Sequence, residues 1–204
     1  MNHPEKELAE IKTIMERSTR FLSLSGLSGV IAGALALIGA GLAYYWVYYP
    51  YSPFSYRTNY VNSNAVLIKL CLTAFSVFAL SLVAGFVLTR RKQLKSQTQL
   101  WNSASRRFLL ALFIPLLAGG IFILALMLRG YLMVIAPASL LFYGLALLNA
   151  SHHTHSDIKY LGYCQIATGL LSAFFPGYGL IFWAFGFGVL HIVYGFSMHL
   201  KYDR

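Results

Sequence analysis

Residues 23–49 read SLSGLSGVIAGALALIGAGLAYYWVYY and carry no charged side chain. At roughly 1.5 Å per residue a helix of this length more than covers a hydrocarbon layer about 30 Å thick. Ser25, Gly29 and Gly33 recur four apart, as do Ala32, Ala36 and Ala40. Small residues at that spacing make flat stripes on which other helices pack closely in lipid. This stretch predicts the central helix of a multi-span bundle.

Composition agrees. Of 204 residues, 58% are hydrophobic and 11% charged, with mean hydropathy +0.63. A soluble domain carries about 25% charged residues, so long apolar runs at less than half that charge exclude a soluble fold. The net charge of +10 is read as basic loops anchoring helix ends on the cytoplasmic side, not as a nucleic-acid surface. Cys71 and Cys164 both fall inside apolar runs, near opposite faces of the predicted bundle. They are expected to be free thiols packed as small apolar residues.

Six spans are predicted, at about 21–49, 64–89, 108–128, 131–149, 160–175 and 180–200. The fifth is barely long enough to cross. The first ends in Tyr44, Tyr45, Trp46, Tyr48 and Tyr49, rings suited to the headgroup level. Pro115 and Gly119-Gly120 are expected to bend the third. Arg129-Gly130 and Pro176-Gly177 make tight turns. Ahead of the spans, residues 4–20 pattern as an amphipathic helix with Leu8, Ile11 and Met15 on one face. Four acids balance four bases there, so it is not a polybasic lipid anchor. The first apolar run is too long for a secretory h-region and lacks a convincing cleavage site.

Lysine and arginine set the expected orientation. Thirteen lie in residues 1–20, the 90–107 connection, Lys159 and the tail, against Arg57, Lys69 and Arg129 on the other side. Both termini are therefore expected in the cytoplasm. No internal repeat of the transporter kind is visible.

All six acids, Glu5, Glu7, Glu10, Glu16, Asp157 and Asp203, lie outside the predicted spans. That argues against a carboxylate proton relay, an acidic-ring pore, an H-E-x-x-H metalloprotease and an aspartyl dyad. Depth counting places Ser28, Tyr143, Gln165, Thr168, His191 and Tyr194 in one polar layer. His191 is an ionisable group deep in a span and hence a candidate for a ligand or ion cavity. The competing reading is an interhelical hydrogen bond from His191 to Gln165 or to a hydroxyl. Serines in a Gly/Ala-rich helix are usually packing residues, which weighs against Ser28 as a nucleophile beside His191, and haem ligation would need paired deep histidines where His191 alone is deep. His152, His153 and His155, with His199 ending the last helix on the same side, offer imidazoles for zinc, nickel or copper. Their spacing matches no closed four-ligand motif.

The segment YLGYCQIATGLLSAFFPGYGLIFWAFGFGVLHIVYG at 160–195, with IKTIMERSTRFLSLSGLSG at 11–29, resembles an uncharacterised family of small bacterial multi-pass inner-membrane proteins. That resemblance covers most of the chain. It implies a bacterial cytoplasmic-membrane location and a six-span bundle, and it implies no activity. The resulting expectation is an all-α polytopic protein, a six-helix bundle with an N-terminal amphipathic cytoplasmic helix. No enzymatic function and no cofactor is expected. Its role would be structural, regulatory or interaction-based, with the lipid bilayer as solvent and residues 4–20 open to a cytoplasmic partner or a second copy. A small transporter or channel around His191 is the first alternative. A metal sensor using the histidine cluster is the second.

Overall fold

The computed structural model describes residues 25–52, 54, 63–96 and 103–202. The amphipathic segment 4–20, most of the 53–62 loop and the tip of the 90–107 connection lie outside these residues. The described chain is all-helical. Its helices are α1 (Gly26–Val47), α2 (Asn64–Ser96), α3 (Ser103–Leu128), α4 (Ile135–Ser151, entered through a 3₁₀ turn at Leu132–Val134), α5 (Ile158–Phe174) and α6 (Gly179–Tyr202). Every one except α5 is long and apolar enough to cross a membrane, α4 when counted with its 3₁₀ turn from Leu132. With 17 residues, α5 spans about 25 Å.

Two helices outrun their predicted spans. α2 continues through Arg90, Arg91 and Lys92, and α3 begins five residues early, so that Arg106 and Arg107 are helical. Hydropathy marks where the lipid stops, whereas arginine and lysine are good helix formers and let the backbone wind on into water. The predicted turns are present. Gly130 and Gly177 have φ of +77° and +107°, a left-handed conformation that glycine adopts without a Cβ clash.

Packed neighbours run antiparallel except α4 and α6, which are parallel: Ala136 meets Gly179, Leu140 meets Gly186 and Tyr143 meets His191. α2 packs on α1, α1 on α6, α6 on α4 and α5, and α3 on α4. α4 also packs on α5, so α4 and α6 each touch three others, while α1, expected at the centre, touches two. α6 reaches helices on both flanks because it has small residues on two sides. Gly188 and Gly195 face α1, while Gly186 faces α4 and α5. Of the predicted α1 stripes, Ser25, Gly33, Ala36 and Ala40 are buried and Gly29 is half-buried against Gly195. Gly26, outside both stripes, is buried too, and a Cβ on it would stand 2.2 Å from the backbone nitrogen of His199. On the far side of α1, Gly39 admits Val77 of α2.

The bundle is arranged for an apolar solvent. On α5, Gln165, Thr168 and Ser172 are buried while Leu170, Leu171 and Phe174 face outward. Cys164 lies on that outward face and is exposed, and Cys71 on α2 is partly covered; both thiols are free. The expectation that Cys164 is packed inside is thus corrected. Helical periodicity turns it away once Leu161, Gln165 and Thr168 point inward. α2 is the most peripheral helix, with no buried residue in its apolar window.

α3 stays helical through Pro115. Proline has no N–H, so the carbonyl four residues earlier, Ala111, loses its usual donor. Asn149 of α4 supplies one, its Nδ2 donating to Ala111 O at 2.7 Å. Beside this bond Ala104, Phe108, Ala111 and Ala150 form an apolar cluster. At the opposite end Tyr48, 1% exposed, donates its hydroxyl to Gly177 O at 3.3 Å and ties α1 to the α5–α6 turn.

Candidate functional site: a buried histidine on a π-helical segment

The middle of α6, Ala184–Leu190, is wound as a π-helix, and His191 follows directly. Such segments are rare and concentrate at functional positions. The wider winding interrupts the regular backbone ladder, and side chains of neighbouring helices can then serve the backbone groups. Here the Gly186 carbonyl is served twice. His191 Nδ1 lies 3.0 Å from it, and Gln165 Nε2 donates to it at 2.7 Å.

A carbonyl only accepts, so Nδ1 carries the proton of the neutral ring. Nε2 is then the acceptor and takes the Tyr143 hydroxyl at 2.7 Å. This assignment also explains the 3.4 Å approach of Gln165 Nε2 to Nδ1. Two N–H groups face each other there, and the contact is not a hydrogen bond. Turning the Gln165 amide over would set its oxygen against the Gly186 oxygen, so its orientation is fixed as well.

Aromatic rings wall the imidazole. Tyr143 and Phe187 have ring centroids 5.3 and 5.9 Å from it, and Trp183 lies tilted against Phe187 at 5.1 Å. His191 is 6% and Gln165 0% exposed. The site holds the imidazole in one orientation, with both nitrogens engaged.

Of the six residues of the predicted polar layer, Tyr143, Gln165 and His191 meet. Ser28 donates to Ser25 O and Thr168 to Cys164 O, each within its own helix. Tyr194 packs one turn below His191 against Leu147, Ile158 and Leu161. Its hydroxyl, Gln165 Oε1 and Ser172 Oγ are buried without a hydrogen-bond partner among the described residues. Equal depth does not guarantee contact, because helical phase decides which polar side chains converge. Gly186 was not anticipated from the sequence; the run AFGFG gives no sign of which carbonyl would be freed.

The metal reading of His152, His153, His155 and His199 is not met by the geometry. Among the described residues no group of three or more His, Cys, Asp or Glu side chains gathers to hold a metal ion. His152 is exposed, while His155 is buried and lies against the Tyr202 ring at 4.1 Å. The polar group that does form at this end centres on Asp157. It takes Lys201 Nζ at 2.6 Å and the Tyr202 hydroxyl at 2.9 Å, closing the α4–α5 loop onto the end of α6. The Lys201 hydrogen bond, followed by that of Tyr202, holds the Asp157 carboxyl below its ordinary range despite some burial.

In comparisons with known proteins, no family model, curated protein or solved structure matches this chain.

Proposed function

We propose that this chain is a six-span protein of the bacterial inner membrane, with both termini in the cytoplasm, and that it works without catalysis as a structural or interaction component. In this reading α5 also crosses, as the fifth of six spans, and residues 4–20 with the basic 90–107 connection face a cytoplasmic protein partner. The observation that carries it is the engagement of His191. Its two nitrogens are spent on Tyr143 and Gly186, so the deepest ionisable group serves as an interhelical tie. The charge distribution and the resemblance of residues 160–195 and 11–29 support the location and the topology.

The test is flux. Purified protein in liposomes is expected to pass protons and potassium no faster than protein-free vesicles. A flux that His191→Ala abolishes would overturn the reading. Reporter fusions in the 90–107 connection are expected to report the cytoplasm.

A second reading is favoured by one observation. Gln165 Oε1, Tyr194 OH and Ser172 Oγ are buried and unpartnered among the described residues, and buried polar atoms of this kind commonly bind water or a ligand. That supports a small transporter or channel around His191, and the same flux assay separates the two.

A further inference from the structure

Between α1 and α2 runs a groove of about 290 Å³, open on the lipid side and walled mainly by Leu35, Leu42, Leu72 and Leu80. Lys69 and Trp46 close the end that Tyr48 and Gly177 mark. From Trp46 to Leu35 on one wall, and from Lys69 to Leu80 on the other, the groove covers eleven helical steps. At 1.5 Å per residue that is ~16 Å, close to the ~15 Å hydrocarbon depth of one leaflet. The groove is therefore as long as one acyl chain is deep.

Lys69 supplies the charge argument. It lies five residues inside a span, exposed to the lipid side. Asp157, the one acid among the described residues, is on Lys201 at the other end of the bundle. An ammonium at this depth needs an anion or must stretch to water, and the anion native to this depth is a lipid phosphate. Trp46 beside it suits the headgroup boundary. We propose that the α1–α2 groove seats one acyl chain of an anionic phospholipid whose phosphate Lys69 holds. A zwitterionic lipid fits the apolar walls equally but gains less from the lysine, because its own ammonium competes for the phosphate.

The test uses Trp46 as the reporter. The full chain with Trp101→Phe and Trp183→Phe is reconstituted in phosphatidylcholine, and phosphatidylglycerol or phosphatidylcholine with brominated acyl chains is titrated in. Trp46 is expected to be quenched at about fivefold lower mole fraction of the anionic lipid, the gain of one basic group near an anionic surface. Lys69→Gln is expected to bring the two lipids to parity. Lys69→Arg and Arg129→Gln, the latter outside the groove, are expected to keep the preference. Parity in the parent protein overturns the proposal, as does a preference that survives Lys69→Gln or falls equally with Arg129→Gln. So does self-association that shields Trp46 from both lipids, which would assign the groove to a second copy.

Discussion

Asn149 repairs the break that Pro115 makes in α3, and a double-mutant cycle measures that repair. The perturbation is Asn149→Ala, which removes the side-chain donor that stands in for the missing N–H of residue 115 at the Ala111 carbonyl. A buried unpaired polar group costs ~1–3 kcal/mol. Interhelical hydrogen bonds measured in membranes average ~0.6 and reach ~1.7 kcal/mol. The bond here is short, 2.7 Å, and Pro115 offers its acceptor no amide, which places it in the upper part of that range. A loss of about 1.5 kcal/mol is expected, roughly a tenfold change in the folded-to-unfolded ratio. In a Pro115→Ala background residue 115 regains an N–H, which can bond Ala111 O. There Asn149→Ala is expected to cost about 0.5 kcal/mol, leaving a coupling of about 1 kcal/mol. The assay is reversible unfolding in mixed micelles by titrated sodium dodecyl sulfate, followed by far-ultraviolet circular dichroism. Equal cost of Asn149→Ala with and without the proline would refute the reasoning, since the asparagine would then be stabilising by packing alone.

Other expectations concern different parts of the bundle. Gly195→Ala places a Cβ 2.5 Å from the Val30 backbone nitrogen, where only a shift of α1 relieves it; the expected loss is ~1–3 kcal/mol. Gly41→Ala, with nothing within 4 Å, is expected to be neutral or stabilising by ~0.5–1 kcal/mol, and equal behaviour of the two in the same titration would refute the close packing of α1 on α6. Tyr143→Phe removes the donor to His191 Nε2 and is expected to cost about 1 kcal/mol; an unchanged unfolding midpoint would mean that the imidazole is held by its rings alone. The folded Asp157 carboxyl lies below its ordinary value of 3.8, and folded Lys201 above its ordinary 10.5. The latch therefore contributes fully between those two values. It is lost as pH falls through the folded carboxyl value or rises through the folded ammonium value. The difference in melting temperature between the parent and Asp157→Asn is expected to close in acid, and a gap that persists there would remove the ion pair from the account. The double variant His152→Ala/His155→Ala is expected to leave bound zinc and nickel, measured by plasma emission, unchanged from the parent.

Much of this molecule is fixed by composition and periodicity alone. Long uncharged runs can satisfy their backbone in lipid only as helices, so the all-helical fold and the approximate places of the helices follow from residues such as those of 23–49. The small-residue stripe on α1 foretold close packing, and the depth of His191 singled it out. Which partner each polar group takes was not legible. Depth counting put Ser28, Thr168 and Tyr194 in one layer with His191, yet Ser28 and Thr168 bond within their own helices and Tyr194 lies one turn away. Rotation about each helix axis and the π winding at Ala184–Leu190 decide what converges, and neither is encoded in hydropathy. The Gly186 carbonyl at His191 and the Asn149 amide at Ala111 exist as partners only after the helices have packed. A backbone group needs an outside donor only where the local ladder is broken, and only tertiary structure brings that donor within about 3 Å.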